Sequence, residues 1–292
     1  MRRRRRSVSS LSVNLPDGYV LSAGRHYDLA APSVQVTTFH EIKSRIFDVC
    51  PICGALPTRE EHVPPLSMGG AFMTKTCEPC NSRLGSYVEA DLADWLNDVL
   101  TFPTFSADGV RGGRRSGRVF FRITPNGEFI FLMDGRFDPA ISIMLEGGRV
   151  KIVASFPDVN RYRLALLKHA YLAGCLDCGI PQADNAELVR GELIAARDAR
   201  SRHEVPRSPL ALGLTVLKLD GHPSVSASPI VKAVAQLADG PCEGVVLAGR
   251  VFVSWMSQPP ANDELVQPSP LRLEFAVGGK VDGIVASVEA AS

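Results

Sequence analysis

Hydrophobic positions recur at helical spacing in three segments, residues 86–100, 158–179 and 183–200. In the first segment, apolar residues three or four positions apart would share one face of an amphipathic helix. These residues are Val88, Leu92, Trp95, Leu96 and Val99. In the third segment, Asp184 or Asn185 is the expected N-cap, because either side chain can accept a hydrogen bond from the first turn. The spacing therefore predicts three helices.

Shorter apolar runs predict strands in the remaining parts of the chain. One short strand is expected at residues 33–39, and two more at 117–135, joined by the turn signal Pro125-Asn126-Gly127. Further strands are expected within residues 147–156, 210–220, 244–256 and 271–279. Strands and helices follow one another in blocks, which is typical of an α+β fold.

The patterns divide the chain into three consecutive segments. Residues 1–45 form a basic, partly disordered N-terminal segment that begins with the run Arg2 to Arg6, either a solvated tail or an arm that binds phosphate. Residues 46–100 form a small module with four cysteines. Residues 101–292 form a larger mixed α+β domain of unknown role.

Composition excludes several classes of protein. The chain has 292 residues, of which 45% are hydrophobic and 22% charged, as in a soluble folded protein. A net charge of +1 gives no global attraction to nucleic acid or membrane, so any such contact must be local. No apolar run reaches the roughly 18 residues that a membrane span needs. The basic start is followed by a polar, Ser-rich stretch, so export is not expected and the protein is predicted to be cytoplasmic.

Four of the seven cysteines form two Cys-x-x-Cys pairs. Cys50 and Cys53 make one pair, Cys77 and Cys80 the other, and the intervening chain is long enough for the pairs to face each other. Four thiolates suit a closed, tetrahedral Zn²⁺ site, and an iron–sulfur cluster is the alternative. The pattern therefore predicts structural zinc.

A third pair, Cys175 and Cys178, ends an apolar helical segment, and no fourth pair follows it. These residues are expected to be helix-end thiols rather than a second zinc site. His169 lies in the same segment and is expected to be a structural histidine with satisfied hydrogen bonds.

The sequence between and after the first two pairs, "REEHVPPLSMGG" and "CEPCNSRLG", resembles the HNH endonuclease family in its zinc-containing form. The resemblance covers about residues 47–90. It rests on Glu61-His62 ahead of a proline, on Gly69-Gly70, and on Asn81 directly after the last thiol. It implies a ββα-metal fold, in which a hairpin and a helix hold one divalent cation against the scissile phosphate of DNA. Residues 46–100 would then be a zinc-stapled module of this kind.

The residue types agree with such chemistry. Phosphodiester hydrolysis needs a base that works near neutral pH, and His62 is the candidate because histidine titrates there. Glu61 and Asn81 are the candidate ligands of Mg²⁺ or Mn²⁺, which prefer oxygen donors, with Glu60 as a substitute for Glu61. Adjacent residues on a strand face opposite sides, so Glu61 and His62 can act together only if the strand is irregular there.

Two features depart from the family pattern. Residues 63–76 contain no Asn where the family has a central one, and Thr74 or Ser67 would have to supply a similar hydrogen bond. Arg83 stands where a Lys is frequent, and it remains suitable for a phosphate contact. A catalytically decayed zinc module that binds nucleic acid or a protein is therefore the alternative function.

A second group of arginines lies in the Gly-rich stretch "GVRGGRRSGRVFFR". Arg111, Arg114 and Arg115 are candidate DNA contacts, and a merely solvated loop is the alternative. Together these features predict a metal-dependent DNA endonuclease, of the kind that defence against foreign DNA employs. Residues 101–292 would have room for contact with a regulatory partner or a second copy of the chain.

Overall fold

The computed structural model describes residues 9–14, 35–107, 110–114, 118–123, 128–134, 148–219, 229–237, 240–254, 271–277 and 286–287. The strands, in chain order, are β1 (Ser9–Asn14), β2 (Val36–Glu41), β3 (Arg59–Val63), β4 (Ala71–Thr76), β5 (Val99–Ala107), β6 (Val110–Arg114), β7 (Arg118–Ile123), β8 (Glu128–Asp134), β9 (Gly148–Ser155), β10 (Thr215–Lys218), β11 (Ile230–Leu237), β12 (Gly240–Leu247), β13 (Val251–Ser254), β14 (Leu271–Val277) and β15 (Ala286–Ser287). The helices are α1 (Glu78–Leu84), α2 (Ala90–Leu96), α3 (Val159–Cys178), α4 (Asp184–Asp198) and α5 (Pro209–Leu212). A π-helical turn, Gly85–Glu89, joins α1 to α2, and short 3₁₀ turns occupy Leu66–Met68 and Arg202–Glu204.

The chain forms two compact units, each built from separated stretches of sequence. Unit 1 contains residues 1–29, 94–157 and 267–292, and unit 2 contains residues 30–93 and 158–266. The predicted α+β character is present as a mixture of helices and antiparallel strands. The three consecutive segments expected from the sequence do not correspond to these units, because residues 101–292 are divided between them.

Unit 1 contains an eight-stranded antiparallel sheet with the order β1-β8-β7-β5-β9-β14-β15, in which β6 pairs with β5. The neighbours β7 and β8 are paired from Arg118–Asp134 to Ile123–Phe129, as the predicted hairpin requires. The turn residues Pro125 to Gly127 lie outside the described residues. Arg111 and Arg114 lie in β6, whereas Arg115 and the run Arg2 to Arg6 also lie outside the described part.

Unit 2 contains a five-stranded antiparallel sheet with the order β10-β13-β12-β11-β2, and a separate hairpin of β3 and β4. Ala233, Ala235, Val246 and Phe252 form a buried cluster in the larger sheet. Helix α3 is buried around most of its circumference, since fifteen of its twenty residues are buried. A helix buried on all sides is expected to be apolar throughout, so its buried Lys168 and His169 need polar partners.

The first predicted helix ends earlier than expected. Helix α2 stops at Leu96, and Val99, placed by its spacing on the helix face, begins β5 instead. Asp98 has a positive φ of 54°, which cannot continue a right-handed helix, and Val99 pairs with Phe120 of β7. The predicted N-cap of the third helix is also displaced. Helix α4 begins at Asp184, and Ala183 is the capping residue.

Candidate metal centre

The four predicted cysteines meet in unit 2. The sulfur atoms of Cys50, Cys53, Cys77 and Cys80, named here the thiol quartet, all lie within 4.8 Å of one another. A tight turn after Cys50 bends the first pair inwards: Gly54 N donates to Cys50 O, and Gly54 adopts a φ of 75°. Cys77 is the N-cap residue of α1, and Cys80 lies in its first turn. The prediction that the two pairs face each other is confirmed, and the donor set fits Zn²⁺.

The four thiols contact one another. Cys53 Sγ lies 3.4 Å from Cys77 Sγ. A hydrogen bond with Cys80 lowers the pKa of Cys50 to about 5, while the same contact raises the pKa of Cys80. Because metal binds thiolates, binding of an ion here would release thiol protons.

Arg197, in the last turn of α4, is a contact that the spacing of the cysteines did not predict. Its Nη1 donates a hydrogen bond to Cys80 Sγ at 3.5 Å. Both oxygens of Asp198 accept from the same guanidinium, at 2.7 and 2.8 Å, and hold it in place. A Zn²⁺ ion with four thiolates carries a net charge of −2, so this guanidinium would offset part of it.

The hairpin next to the quartet carries the Glu-His pair. The loop between its strands depends on two glycines: Gly69 has a φ of 90°, and a Cβ on Gly70 would lie 1.6 Å from Pro64 O. This explains in physical terms why the pair Gly69-Gly70 is an informative part of the motif.

The pairing of β3 with β4 is irregular at Glu61 and His62. Glu61 pairs with Thr74 but His62 pairs with Phe72, so β4 has one extra residue at this point. Glu61 faces inwards and is only 3% exposed, whereas His62 is half-buried. Glu60, the substitute carboxylate, is exposed.

The two candidate metal ligands are in contact. Asn81, on α1, donates its Nδ2 to Glu61 Oε2 at 3.2 Å and to Glu60 O at 2.9 Å. Thr76 Oγ1 also donates to Glu61 Oε2, at 2.8 Å. The hairpin and the helix thus bring Glu61 and Asn81 together, with His62 next to Glu61 on β3.

Glu61 belongs to a second buried group that we name the Lys168 cluster: Glu61, Glu89, Lys168 and His169. Lys168 Nζ donates to Glu61 Oε1 at 2.8 Å and to Glu89 Oε1 at 2.5 Å. Burial alone would lower the pKa of Lys168, but the two carboxylates outweigh it and raise that pKa. The ammonium in turn holds the pKa of Glu89 well below its usual range, against the effect of burial.

His169 differs from the satisfied histidine expected from the sequence. Its side chain is fully buried, and Nε2 lies 3.2 Å from Glu89 Oε1 without the alignment of a hydrogen bond. Among the described residues, neither ring nitrogen has a hydrogen-bond partner. The nearest acceptor, Glu89 Oε1, also accepts from Lys168 Nζ, and the His169 ring is not aligned with it.

The remaining candidates have simpler surroundings. Arg83 is exposed at the end of α1, and its guanidinium carbon lies 5.6 Å from the centre of the Tyr87 ring. Thr74 does not replace the family's central Asn, since its buried hydroxyl has no partner within the described part of the chain. Cys175 is buried and Cys178 exposed at the end of α3, and neither belongs to a group of metal donors among the described residues.

Comparison with known proteins assigns this chain to no family. No family model matches the chain, and neither curated proteins nor solved structures give a match. Among the residues that the structure describes, no helix has the length and apolar character to cross a bilayer.

Proposed function

We propose that this protein is a metal-dependent endonuclease of the HNH type that hydrolyses phosphodiester bonds in DNA, with structural zinc at the thiol quartet. The observation that carries the proposal is the contact between Glu61 Oε2 and Asn81 Nδ2, with His62 as the next residue on an irregular strand. A carboxylate and an amide can supply oxygen ligands to a divalent cation, and an imidazole beside them can act as a general base.

Each residue has a distinct role in the proposed site. Glu61 and Asn81 would hold Mg²⁺ or Mn²⁺, which when bound would stabilise the charge on the scissile phosphate. Glu61 has three hydrogen-bond donors around two oxygens that together accept about four, so one acceptor position remains. To offer its amide oxygen to the ion, Asn81 would have to rotate its amide and give up the hydrogen bonds from Nδ2 to Glu61 Oε2 and Glu60 O. His62 would take the proton from the attacking water.

Arg83, exposed on the same helix as Asn81, is the first candidate for a contact with the DNA backbone. Arg111, Arg114 and Arg115 remain candidates from the sequence alone. Replacement of Arg83 by Ala should weaken binding similarly for all sequences and reduce the slope of log K against log salt by about 1, as expected for one phosphate contact. An unchanged slope would remove Arg83 from the interface.

A second candidate function is a zinc-stapled module without catalytic activity that binds nucleic acid or a protein. Two observations favour it. Lys168 already compensates the charge of Glu61, and residues 63–76 contain no Asn. This candidate predicts DNA or protein binding that is independent of Mg²⁺ and unaffected by His62→Ala.

The experiment that separates the two candidates is incubation of zinc-assayed protein with supercoiled plasmid, with Mg²⁺ or Mn²⁺ and with EDTA. We expect metal-dependent nicking by the wild type and a loss of roughly 10²–10⁴-fold in His62→Ala, the usual contribution of a general base. His203→Ala is the matched control, since His203 is exposed on a 3₁₀ turn away from the hairpin sequence. Equal nicking by His62→Ala would reject His62 as the base, and no nicking by zinc-loaded wild type would favour the second candidate.

A further inference from the structure

The Lys168 cluster contains a set of donors that is typical of a metal site. One oxygen each of Glu61 and Glu89 and one ring nitrogen of His169 lie within 4.8 Å of one another. Two carboxylates and an imidazole commonly bind Mn²⁺, Zn²⁺ or Fe²⁺. His169 is fully buried and its ring nitrogens have no hydrogen-bond partner in the described part of the chain. The imidazole therefore has the unused capacity of a ligand.

A cation already lies among these donors. Lys168 Nζ is 2.8 Å from Glu61 Oε1 and 2.5 Å from Glu89 Oε1, and its side chain is fully buried. A metal ion bound to the same oxygens would lie about 2.0–2.2 Å from them. An ammonium at hydrogen-bond distance from both carboxylates leaves no room for that ion, so the two cations exclude each other.

Charge balance alone would favour a divalent ion here, so the place of Lys168 in the fold must hold the ammonium. Two carboxylates and one ammonium leave a net charge of −1 when the imidazole is neutral, and a divalent ion in place of the ammonium would make the group neutral. Lys168 cannot leave easily, because its stem belongs to the buried helix α3. Its charge also cannot be lost easily, because a buried carboxylate pair without a cation is costly.

We propose that Glu61, Glu89 and His169 form a cation site whose cation is the chain's own Lys168, and that this lysine keeps divalent metal out of it. The site is distinct from the thiol quartet, and the inference stands whether or not the protein cuts DNA. One consequence does rest on the proposed function. With Oε1 of Glu61 held by Lys168, the other oxygen remains directed at Asn81, which makes Lys168 a positioning residue for the proposed catalytic ion.

The direct test measures Mn²⁺ binding to zinc-loaded protein by equilibrium dialysis. Lys168→Met removes the ammonium with little change of volume, and it should bind one more Mn²⁺ per chain than the wild type. The additional ion should be lost again in Lys168→Met/His169→Ala and in Lys168→Met/Glu89→Gln, and kept in Lys168→Met/Asn81→Ala. Lys232→Met is the matched control, since Lys232 also contacts a carboxylate, Asp177, but at the surface, and it should bind no additional ion.

Two results of the dialysis experiment would overturn the proposal. A folded Lys168→Met protein without additional Mn²⁺ would overturn the proposal, as would an additional ion that survives the loss of both His169 and Glu89. The test counts only the Mn²⁺ ions that a variant binds in addition to those of the wild type. A wild type that binds no Mn²⁺ would therefore count against the proposed nuclease, but it would not affect this test.

A measurement on the wild type covers the case in which Lys168→Met does not fold. The ammonium of Lys168 should give a ¹H–¹⁵N signal protected from exchange with water, assigned by its loss in Lys168→Arg. Millimolar Mg²⁺ should leave that signal in place. Absence of a protected ammonium signal, or its loss on addition of Mg²⁺, would overturn the proposal.

Discussion

The thiol quartet and the Lys168 cluster are two polar groups of unit 2, and they differ in how they are built. The quartet collects four like donors from residues 50–80, and four thiolates there would repel one another without a cation between them. The Lys168 cluster joins Glu61 to a lysine 107 residues further along the chain and brings its own cation. We expect the first group to depend on a bound metal for its stability, and the second to be stabilised by its own lysine.

The largest expected effect separates the two groups by metal dependence. Cys77→Ser should abolish zinc binding and unfold the hairpin and α1, because metal binding contributes about 10–16 kcal/mol in small zinc modules. Zinc content and circular dichroism measure this. Cys178→Ser is the control, because Cys178 is an exposed thiol outside the quartet, and it should retain zinc. A folded Cys77→Ser protein would mean that the quartet is not a structural metal site.

Replacement of Lys168 should be the next largest effect, and it should leave zinc in place. Lys168→Met leaves two carboxylates without their buried cation, which typically costs about 3–5 kcal/mol in the free energy of unfolding. Lys232→Met removes a surface partner of Asp177 and should cost at most about 1 kcal/mol. Chemical denaturation of both variants measures the difference. Equal stabilities would show that the Lys168 cluster adds nothing to the fold.

The next prediction compares Arg197, which contacts a cysteine of the thiol quartet, with an arginine that does not. Arg197→Met should keep zinc but speed its transfer to a chelator by about 10–100-fold, the usual effect of losing a hydrogen bond to a metal ligand. Arg200→Met, an exposed arginine just beyond α4, should release zinc at the wild-type rate. If both variants behave like wild type, the bond from Arg197 to Cys80 does not tune the centre.

The smallest expected effect is a change in the free energy of unfolding at low pH. The pKa of Glu89 is lowered from its ordinary value near 4.5 in the folded protein, so its contribution to stability is complete above that pH and is lost as the pH falls further. The difference in unfolding free energy between wild type and Glu89→Gln should therefore be constant near neutral pH and shrink below about pH 4.5. Loss of zinc in acid affects both proteins alike. A difference that grows on acidification would contradict the depressed pKa.

The sequence was informative where the chemistry is local. Two Cys-x-x-Cys pairs, the Gly69-Gly70 turn and the Glu61-His62 dipeptide lie within 31 residues, so spacing alone predicted the quartet. The same holds for α3, whose apolar spacing was clear.

It was uninformative where distant segments meet. The pairing of Glu61 with Lys168 depends on how α3 packs against the hairpin, which no local pattern encodes. A lysine next to a histidine inside an apolar helix was the one available signal, since buried lysine almost always has a partner. The division into two units also could not be predicted, because each unit combines separated stretches of the chain.

The most direct test of the account is the metal content of the purified wild type, measured after dialysis against metal-free buffer. The account predicts one zinc per chain, bound by the thiol quartet, and no second tightly bound ion, because Lys168 fills the other cation position. A protein that retains no zinc would contradict the first half. A protein that retains two ions, one of them lost in His169→Ala, would contradict the second.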